Sequence, residues 1–149
     1  MAGQIYNYYQ YNEKLASGGQ PTPEQLKTLK EEGFDAIVSI SPKSTKNYLN
    51  EEPEIVEKLG MYFIHFPVDC SNLKSQYYST FKNIMASLEG KKCFVHCGAN
   101  IKTSNLIHMY QVLEKGLDEK DSLIELHKIQ KPEQKWFDYF KALGMQGIS

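Results

Sequence analysis

The sequence predicts an α/β protein whose central, mainly parallel sheet is flanked by helices. Short apolar runs that lack polar alternation, typical of strands buried on both faces, cover residues 34–40, 61–67 and 93–96. Helical patterns lie between these runs, and such alternation favours parallel strands joined by right-handed crossovers. The 149 residues are enough for one domain, so we treat residues 1–149 as a single unit.

The first helix and strand are predicted from residues 15–40. Gly18 and Gly19 predict a turn, and Thr22 is expected to cap a helix that has Pro23 at its first position. Leucines at 26 and 29 mark the buried face of this helix. Gly33 is expected to end it, before the apolar, β-branched strand at residues 34–40.

The later elements follow from the same alternation. A helix near residues 54–59 precedes the strand at 61–67, and apolar residues at steps of three and four predict another helix over 73–88. The strand at 93–96 runs through a tight loop into an apolar helix that contains Leu106 and Leu113. Two further helical patterns cover residues 123–129 and 136–143.

The charge balance argues against two classes of partner. The chain has 17 basic and 18 acidic residues and a formal net charge of -1, which leaves no basic surplus for nucleic acid. No apolar run approaches the roughly 18 residues that a membrane span needs. We therefore expect neither a nucleic-acid partner nor a membrane partner.

The cysteines and the N-terminal segment indicate a reduced compartment. The three cysteines, Cys70, Cys93 and Cys97, are an odd set in a chain large enough to bury a core, which argues against a disulfide framework. Residues 1–12 lack the charged start and apolar core of a signal peptide. We expect a cytoplasmic protein, or a periplasmic one if a signal peptide has been removed.

The segment Val95–Ser104, VHCGANIKTS, carries the most chemical information. Cys97 ends a predicted central strand, and the loop after it becomes the N-terminus of a helix. Successive backbone N–H groups of such a loop, together with the helix dipole, favour a bound phosphate and the thiolate form of the cysteine. The predicted phosphate-binding residues are Gly98, Ala99, Asn100, Ile101, Lys102 and Thr103.

These residues suggest a phosphoryl-transfer site. Cys97 would attack phosphorus while Lys102 neutralises the non-bridging oxygens, because the chain contains no Arg. Asp69, in the segment HFPVD, would protonate the leaving oxygen from the end of a neighbouring strand. Ser104 would donate a hydrogen bond to the Cys97 sulfur and help it leave. His96 would face away from Cys97 and fix the loop backbone.

Each residue also has a structural interpretation. A cysteine at a strand end is often a small buried hydrophobe, and Asp69 could be a turn residue after Pro67. Lys102 could be a solvated lysine at a helix start, and Ser104 an ordinary first-turn residue. A metal site built on Cys93, Cys97, His96 and His65 lacks the second paired ligand group of structural zinc sites, so we expect no metal.

Three segments resemble the cysteine-based protein tyrosine and dual-specificity phosphatases. These are ASGGQPTPEQLKTLKEEGFDAIVSIS, HFPVD and VHCGANIKTS, and the resemblance covers roughly residues 14–114. The SGGQPTPEQL opening is similar to that of a small bacterial group, which includes the phosphatase-like domain of beta-lactamase-hydrolase-like proteins. The resemblance implies a dual-specificity-like phosphatase fold, a phosphocysteine mechanism that requires no cofactor, and a phosphorylated substrate or inorganic oxyanion as partner.

The loop departs from the common family pattern, in which Arg is the sixth residue after Cys. A shorter variant with Arg at the fifth position is more similar, and there Asn100 and Ser104 match while Lys102 replaces the Arg. Lys keeps the charge but loses the bidentate fork. We expect catalysis about 10²- to 10⁴-fold weaker than with an Arg loop, since one positioned donor supplies ~3–5 kcal/mol.

Two other functions remain open from the sequence. The chain could be a pseudophosphatase that binds a phosphorylated ligand without turnover, although a pure binder needs neither Cys97 nor Asp69. It could also be a rhodanese-like sulfurtransferase, in which Cys97 carries a persulfide and Asp69 has no role. Cys70 directly follows Asp69, so a protective disulfide between Cys70 and Cys97 is a further hypothesis.

Overall fold

A five-stranded sheet forms the centre of the computed structural model, which describes residues 1–149. The strand order is β1-β2-β5-β3-β4. Strands β2, β5, β3 and β4 are parallel, and only β1 is antiparallel to its neighbour β2. The predicted α/β class with a mainly parallel sheet is therefore confirmed. The strands are β1 (Tyr9–Asn12), β2 (Leu15–Gly18), β3 (Ala36–Ser39), β4 (Tyr62–His65) and β5 (Cys93–His96).

Every predicted helix is present, with ends within a few residues of the expected ones. The cap of the first helix is a full capping box, because Thr22 and Gln25 exchange side-chain and backbone hydrogen bonds. None of the helices combines the length and apolar character that crossing a bilayer requires. The helices are α1 (Pro23–Glu31), α2 (Glu52–Lys58), α3 (Ser75–Ser87), α4 (Ile101–Leu113), α5 (Glu119–His127) and α6 (Gln134–Ala142).

The sheet separates two hydrophobic layers of unequal size. The larger contains 23 buried residues and joins one face of the sheet to α3, α4, α5 and α6. The smaller contains 10 and joins the other face to α1 and α2. Central strand β5 divides its side chains between them: Cys93 and Val95 enter the larger layer, and Phe94 the smaller. This explains why the strand is apolar at consecutive positions.

The N-terminal region differs from the prediction. The segment around Gly18 is an antiparallel hairpin of β1 and β2, and Gly18 and Gly19 form no turn. Gly18 ends β2, where an added Cβ would lie 2.9 Å from the Phe94 ring. At Gly19 an added Cβ would lie 2.7 Å from the Gly98 carbonyl oxygen. The two glycines allow close approach of neighbouring backbone, which sequence alone does not distinguish from a turn.

The register brings the functional loops to one edge of the sheet. His96, the last residue of β5, lies beside Gly18 of β2 and Ser39 of β3, and Ser39 lies beside His65 of β4. The segments that follow these four parallel strands therefore leave the sheet at the same edge. In open α/β sheets this carboxyl edge is where ligands bind.

Candidate active site

The loop after β5 turns directly into helix α4. Cys97 follows the strand and is 2% exposed. Asn100 is the N-cap of α4 and adopts the left-handed conformation, with φ 66° and ψ 23°. Asn tolerates this conformation better than most residues other than glycine. Its side-chain amide donates to the Asn7 carbonyl and to the Ser17 hydroxyl, both at 2.9 Å, which holds the turn in place.

The carbonyl oxygens of the loop accept hydrogen bonds from surrounding segments. The Gly98 carbonyl accepts from the Gln20 backbone N–H at 3.1 Å and from the Asn47 side chain at 3.0 Å. The Ala99 carbonyl accepts from the Asn7 side chain at 3.1 Å. The Ile101 carbonyl accepts from Gln130 at 2.7 Å. Four segments distant in sequence thus fix the direction of successive peptide groups.

The N–H groups of the loop are left available for a ligand. In a trans peptide the C=O and the following N–H point in opposite directions, so binding each carbonyl on the outside turns the next N–H the other way. The backbone N–H groups of Gly98, Ala99, Ile101, Lys102 and Thr103 donate to no protein acceptor. A series of free N–H groups at a helix N-terminus is suited to an anion such as phosphate.

His96 contacts the same loop from the opposite face of β5. Its Nδ1 lies 3.2 Å from the Cys97 carbonyl oxygen, and its Nε2 lies 2.6 Å from a carboxylate oxygen of Glu52. His96 and Glu52 are 0% and 1% exposed. The Gln20 side chain donates to the other Glu52 oxygen at 3.1 Å. His96 therefore contacts the backbone of the Cys97 loop and is not directed at the thiol.

Lys102 joins the Cys97 loop to the segment after β4. Its ammonium group donates to the Val68 carbonyl at 2.9 Å, next to Asp69. Lys102 and Asp69, which are separated by 33 positions in the sequence, are thus brought to the same side of the site. An oxyanion in the loop would compete with the Val68 carbonyl for this ammonium group.

Asp69 lies on the surface, with its carboxylate turned along its own chain. One carboxylate oxygen accepts from the Ser71 hydroxyl at 2.7 Å and from the Ser71 N–H at 3.0 Å. These bonds, the Ser71 hydroxyl first, lower the pKa of Asp69, and the charges of Lys102 and Lys74 lower it further. These bonds favour the carboxylate form of Asp69 and so oppose proton donation in this conformation.

Ser104 makes contacts other than the expected one. Its hydroxyl donates to the Asn100 carbonyl at 2.5 Å and accepts from the Gln130 amide at 2.6 Å. It makes no hydrogen bond to the Cys97 sulfur in this structure. The reason is its position one turn after Asn100, where a serine hydroxyl reaches the carbonyl four residues earlier. Ser104 here stabilises the turn that starts α4.

The three cysteines are all free thiols in distinct surroundings. Burial, reinforced by the charge of Asp35, raises the pKa of Cys93 to about 11, which keeps this thiol protonated. Cys70 is partly exposed, and its carbonyl accepts from the Lys135 ammonium group at 2.9 Å. The hypothesis of a disulfide between Cys70 and Cys97 stays a prediction.

The cavities of this structure lie away from the Cys97 loop. Two cavities are present, and neither is lined by residues 97–104. The larger, about 700 Å³, lies at the opposite end of β5 and includes Leu15, Cys93 and Tyr110. The free N–H groups of the Cys97 loop therefore lie outside both cavities.

Sequence reasoning missed the residues that hold the loop from outside. Asn7, Gln20, Asn47, Glu52 and Gln130 come from five separate segments. Only Glu52 had a local signal, since it precedes Pro53 at the start of a helix. That signal predicts where the helix starts, and it does not predict that the Glu52 carboxylate is buried.

Comparison with known proteins supports the phosphatase superfamily. The model of the family described as DSP-PTPase phosphatase fused to NAD+ kinase matches residues 6–139. A DUF442 candidate phosphatase from Shewanella putrefaciens CN-32 is 26% identical, with a TM-score of 0.82 over 94% of this chain and 90% of its own. No curated protein matches the chain in sequence.

More distant structures share the fold. The active form of Tk-PTP is 19% identical, with a TM-score of 0.76 over 92% of this chain and 95% of its own. The core catalytic domain of the PP-IP phosphatase SIW14 from S. cerevisiae is 15% identical, with a TM-score of 0.76 over 92% of this chain and 85% of its own. The matched segment of 134 residues includes the whole Cys97 loop and Asp69. The chain therefore belongs to the dual-specificity phosphatase family described as DSP-PTPase phosphatase fused to NAD+ kinase.

Proposed function

We propose that the protein hydrolyses phosphate monoesters through a phosphocysteine intermediate on Cys97. The observation that carries the proposal is the Cys97 loop, in which the carbonyls are bound on the outside and the N–H groups are free. Such a loop binds the three equatorial oxygens of a phosphoryl group without any side chain. The Cys97 sulfur stands at its start, where a nucleophile has to be.

The side-chain roles follow from the contacts at the site. Lys102 supplies the single cation of the loop, and it changes partner from the Val68 carbonyl to a phosphoryl oxygen when the substrate binds. Asp69 leaves Ser71 and donates a proton to the leaving oxygen. In the second step the Asp69 carboxylate takes a proton from the water that attacks the phosphocysteine.

Ser104 has a positioning role in this proposal. Its hydroxyl holds the Asn100 carbonyl and thereby keeps the Asn100–Ile101 peptide turned with its N–H away from Ser104. His96 has the corresponding role at the Cys97–Gly98 peptide. The remaining loop residues, Ala99, Ile101 and Thr103, contribute backbone N–H groups.

Steady-state hydrolysis of an activated aryl phosphate tests the proposal, with vanadate as competitor. Cys97→Ser is expected to abolish turnover, and Lys102→Arg to raise it, because the guanidinium adds a second donor to the phosphoryl oxygens. Cys93→Ser is the matched control, since Cys93 is a buried thiol at the other end of the same strand. Equal activity of Cys97→Ser and wild type would contradict the proposal.

Two other functions predict different results in this assay. A pseudophosphatase binds vanadate or phosphate but shows no turnover in any variant. A sulfurtransferase carries a persulfide on Cys97 after thiosulfate treatment, detectable by mass. The bond from Lys102 to the Val68 carbonyl, next to Asp69, favours hydrolysis over both, because neither binding nor persulfide transfer uses Asp69.

A further inference from the structure

We propose that Glu52 is a positioning residue of the phosphate loop, residues 97–103, and that it acts through His96 on the Cys97 carbonyl. This inference rests on the proposed function, because it assigns Glu52 to the same anion site. Glu52 lies at the start of α2, 44 positions from His96 in the sequence. It touches neither the thiol nor the free N–H groups of the loop, so it is not a catalytic residue.

The contacts define where the protons of this pair lie. A carbonyl oxygen only accepts hydrogen bonds, so the His96 Nδ1 that lies 3.2 Å from the Cys97 carbonyl has to carry a proton. His96 Nε2 lies 2.6 Å from Glu52, and two groups that both lack a proton would repel at this distance. One further proton is therefore shared between His96 Nε2 and the Glu52 carboxylate, and the pair has no net charge.

The His96–Glu52 pair is buried, so its two side chains have only each other and their protein neighbours as partners. His96 is 0% exposed and Glu52 is 1% exposed, so water cannot replace either partner. The second Glu52 oxygen accepts from Gln20, whose backbone N–H donates to the Gly98 carbonyl. Glu52 thus supports two successive carbonyls of the loop, that of Cys97 through His96 and that of Gly98 through Gln20.

The orientation of these two peptides decides where the anion-binding N–H groups point. With the Cys97 carbonyl on His96, the Gly98 N–H points away from His96. With the Gly98 carbonyl on Gln20, the Ala99 N–H points away from Gln20. If Glu52 is lost, His96 is free to move its proton to Nε2, and Nδ1 then repels the Cys97 carbonyl. The first two N–H groups of the loop lose their fixed direction.

Two substitutions of Glu52 separate the effect of its hydrogen bonds from the effects of its charge and its volume. In Glu52→Gln the amide N–H donates to His96 Nε2 and the amide oxygen accepts from Gln20, so every hydrogen bond of the neutral pair has a replacement. Glu52→Leu keeps most of the volume but removes both bonds. Glu54→Gln is the matched control, because Glu54 lies in the same first turn and is exposed.

The experiment combines imidazole nitrogen NMR with vanadate binding and aryl phosphate hydrolysis. In the wild type we expect His96 Nδ1 to be protonated. Vanadate affinity and kcat/KM of Glu52→Gln should stay within a factor of about 5, the equivalent of one neutral hydrogen bond. Glu52→Leu should lose about 100-fold in kcat/KM and also bind vanadate more weakly.

Three results would overturn the inference: an unprotonated His96 Nδ1 in the wild type, wild-type vanadate binding by Glu52→Leu, or Glu52→Gln as impaired as Glu52→Leu. Even if Glu52→Leu does not fold, NMR still tests whether His96 Nδ1 is protonated, as we expect for both the wild type and Glu52→Gln. If the wild type binds vanadate but hydrolyses nothing, the proposed function fails, while the NMR and vanadate results still test Glu52.

Discussion

Replacement of Lys102 by Met tests the only side-chain cation of the phosphate loop. The variant keeps the loop and its free N–H groups, because Met retains the aliphatic stem. It loses one preorganised donor to the transition state, which is worth about 2.7–4 kcal/mol. The wild type has to break the bond from Lys102 to the Val68 carbonyl, which offsets about 1 kcal/mol. The net loss of about 1.7–3 kcal/mol corresponds to a fall of about 20- to 160-fold in kcat/KM.

Lys135→Met is the matched control for this measurement. Lys135 also donates to a carbonyl next to Asp69, that of Cys70, at the same 2.9 Å, but it lies on α6 and not on the phosphate loop. We expect its kcat/KM to stay near that of the wild type. Equal losses of kcat/KM in the two variants would show that Lys102 acts by holding the backbone around Asp69. An unchanged Lys102→Met would refute the assignment of Lys102 to the oxyanion.

Three further predictions concern pH, stability and redox chemistry. Ser71→Ala removes the largest cause of the lowered pKa of Asp69 in the free enzyme, so the descending high-pH limb of kcat/KM should move to higher pH. Ser75→Ala should leave this limb in place. Burial is the main cause that lowers the pKa of His108 to about 4 from its ordinary value near 6.5. The neutral form therefore stabilises the fold by roughly 3 kcal/mol above pH 6.5, and this contribution is lost as the pH falls from 6.5 through 4. Urea unfolding should therefore show that the free energy of unfolding falls less between pH 7 and pH 4.5 in His108→Gln than in the wild type or in His127→Gln. Equal decreases would exclude His108 as the cause. Cys70→Ser should recover less activity after peroxide and reductant treatment, and unchanged recovery would dismiss the disulfide between Cys70 and Cys97.

The sheet and helices could be predicted because their signals are local. The strand at 93–96 is apolar on both faces since both of its faces are buried, and Thr22 with Pro23 marks the start of α1 through its own backbone. The β1–β2 hairpin was missed because the tyrosines and polar residues of β1 give half-buried positions without an apolar run. Its glycines serve close packing, which has the same sequence appearance as a turn.

The residues within the Cys97 loop could be predicted from the sequence, but the contacts that other segments make with the loop could not. Cys97 and the free N–H groups follow from a strand, a tight loop and a helix that are contiguous in the sequence. The contacts of Glu52 with His96 and of Lys102 with Val68 join residues that are 44 and 34 positions apart. The expected contact of Ser104 with the Cys97 sulfur is absent because the Asn100 carbonyl, one helical turn before it, is the nearer acceptor.

Detection of a phosphorylated enzyme tests the central claim most directly. The wild type, Cys97→Ser and Cys93→Ser are mixed with an aryl phosphate, quenched within milliseconds and digested for mass spectrometry under conditions that preserve the thiophosphate bond. We expect one added phosphoryl group on the peptide that contains Cys97, in the wild type and in Cys93→Ser. Hydrolysis that continues in Cys97→Ser, or a phosphoryl group found on another residue, would contradict it.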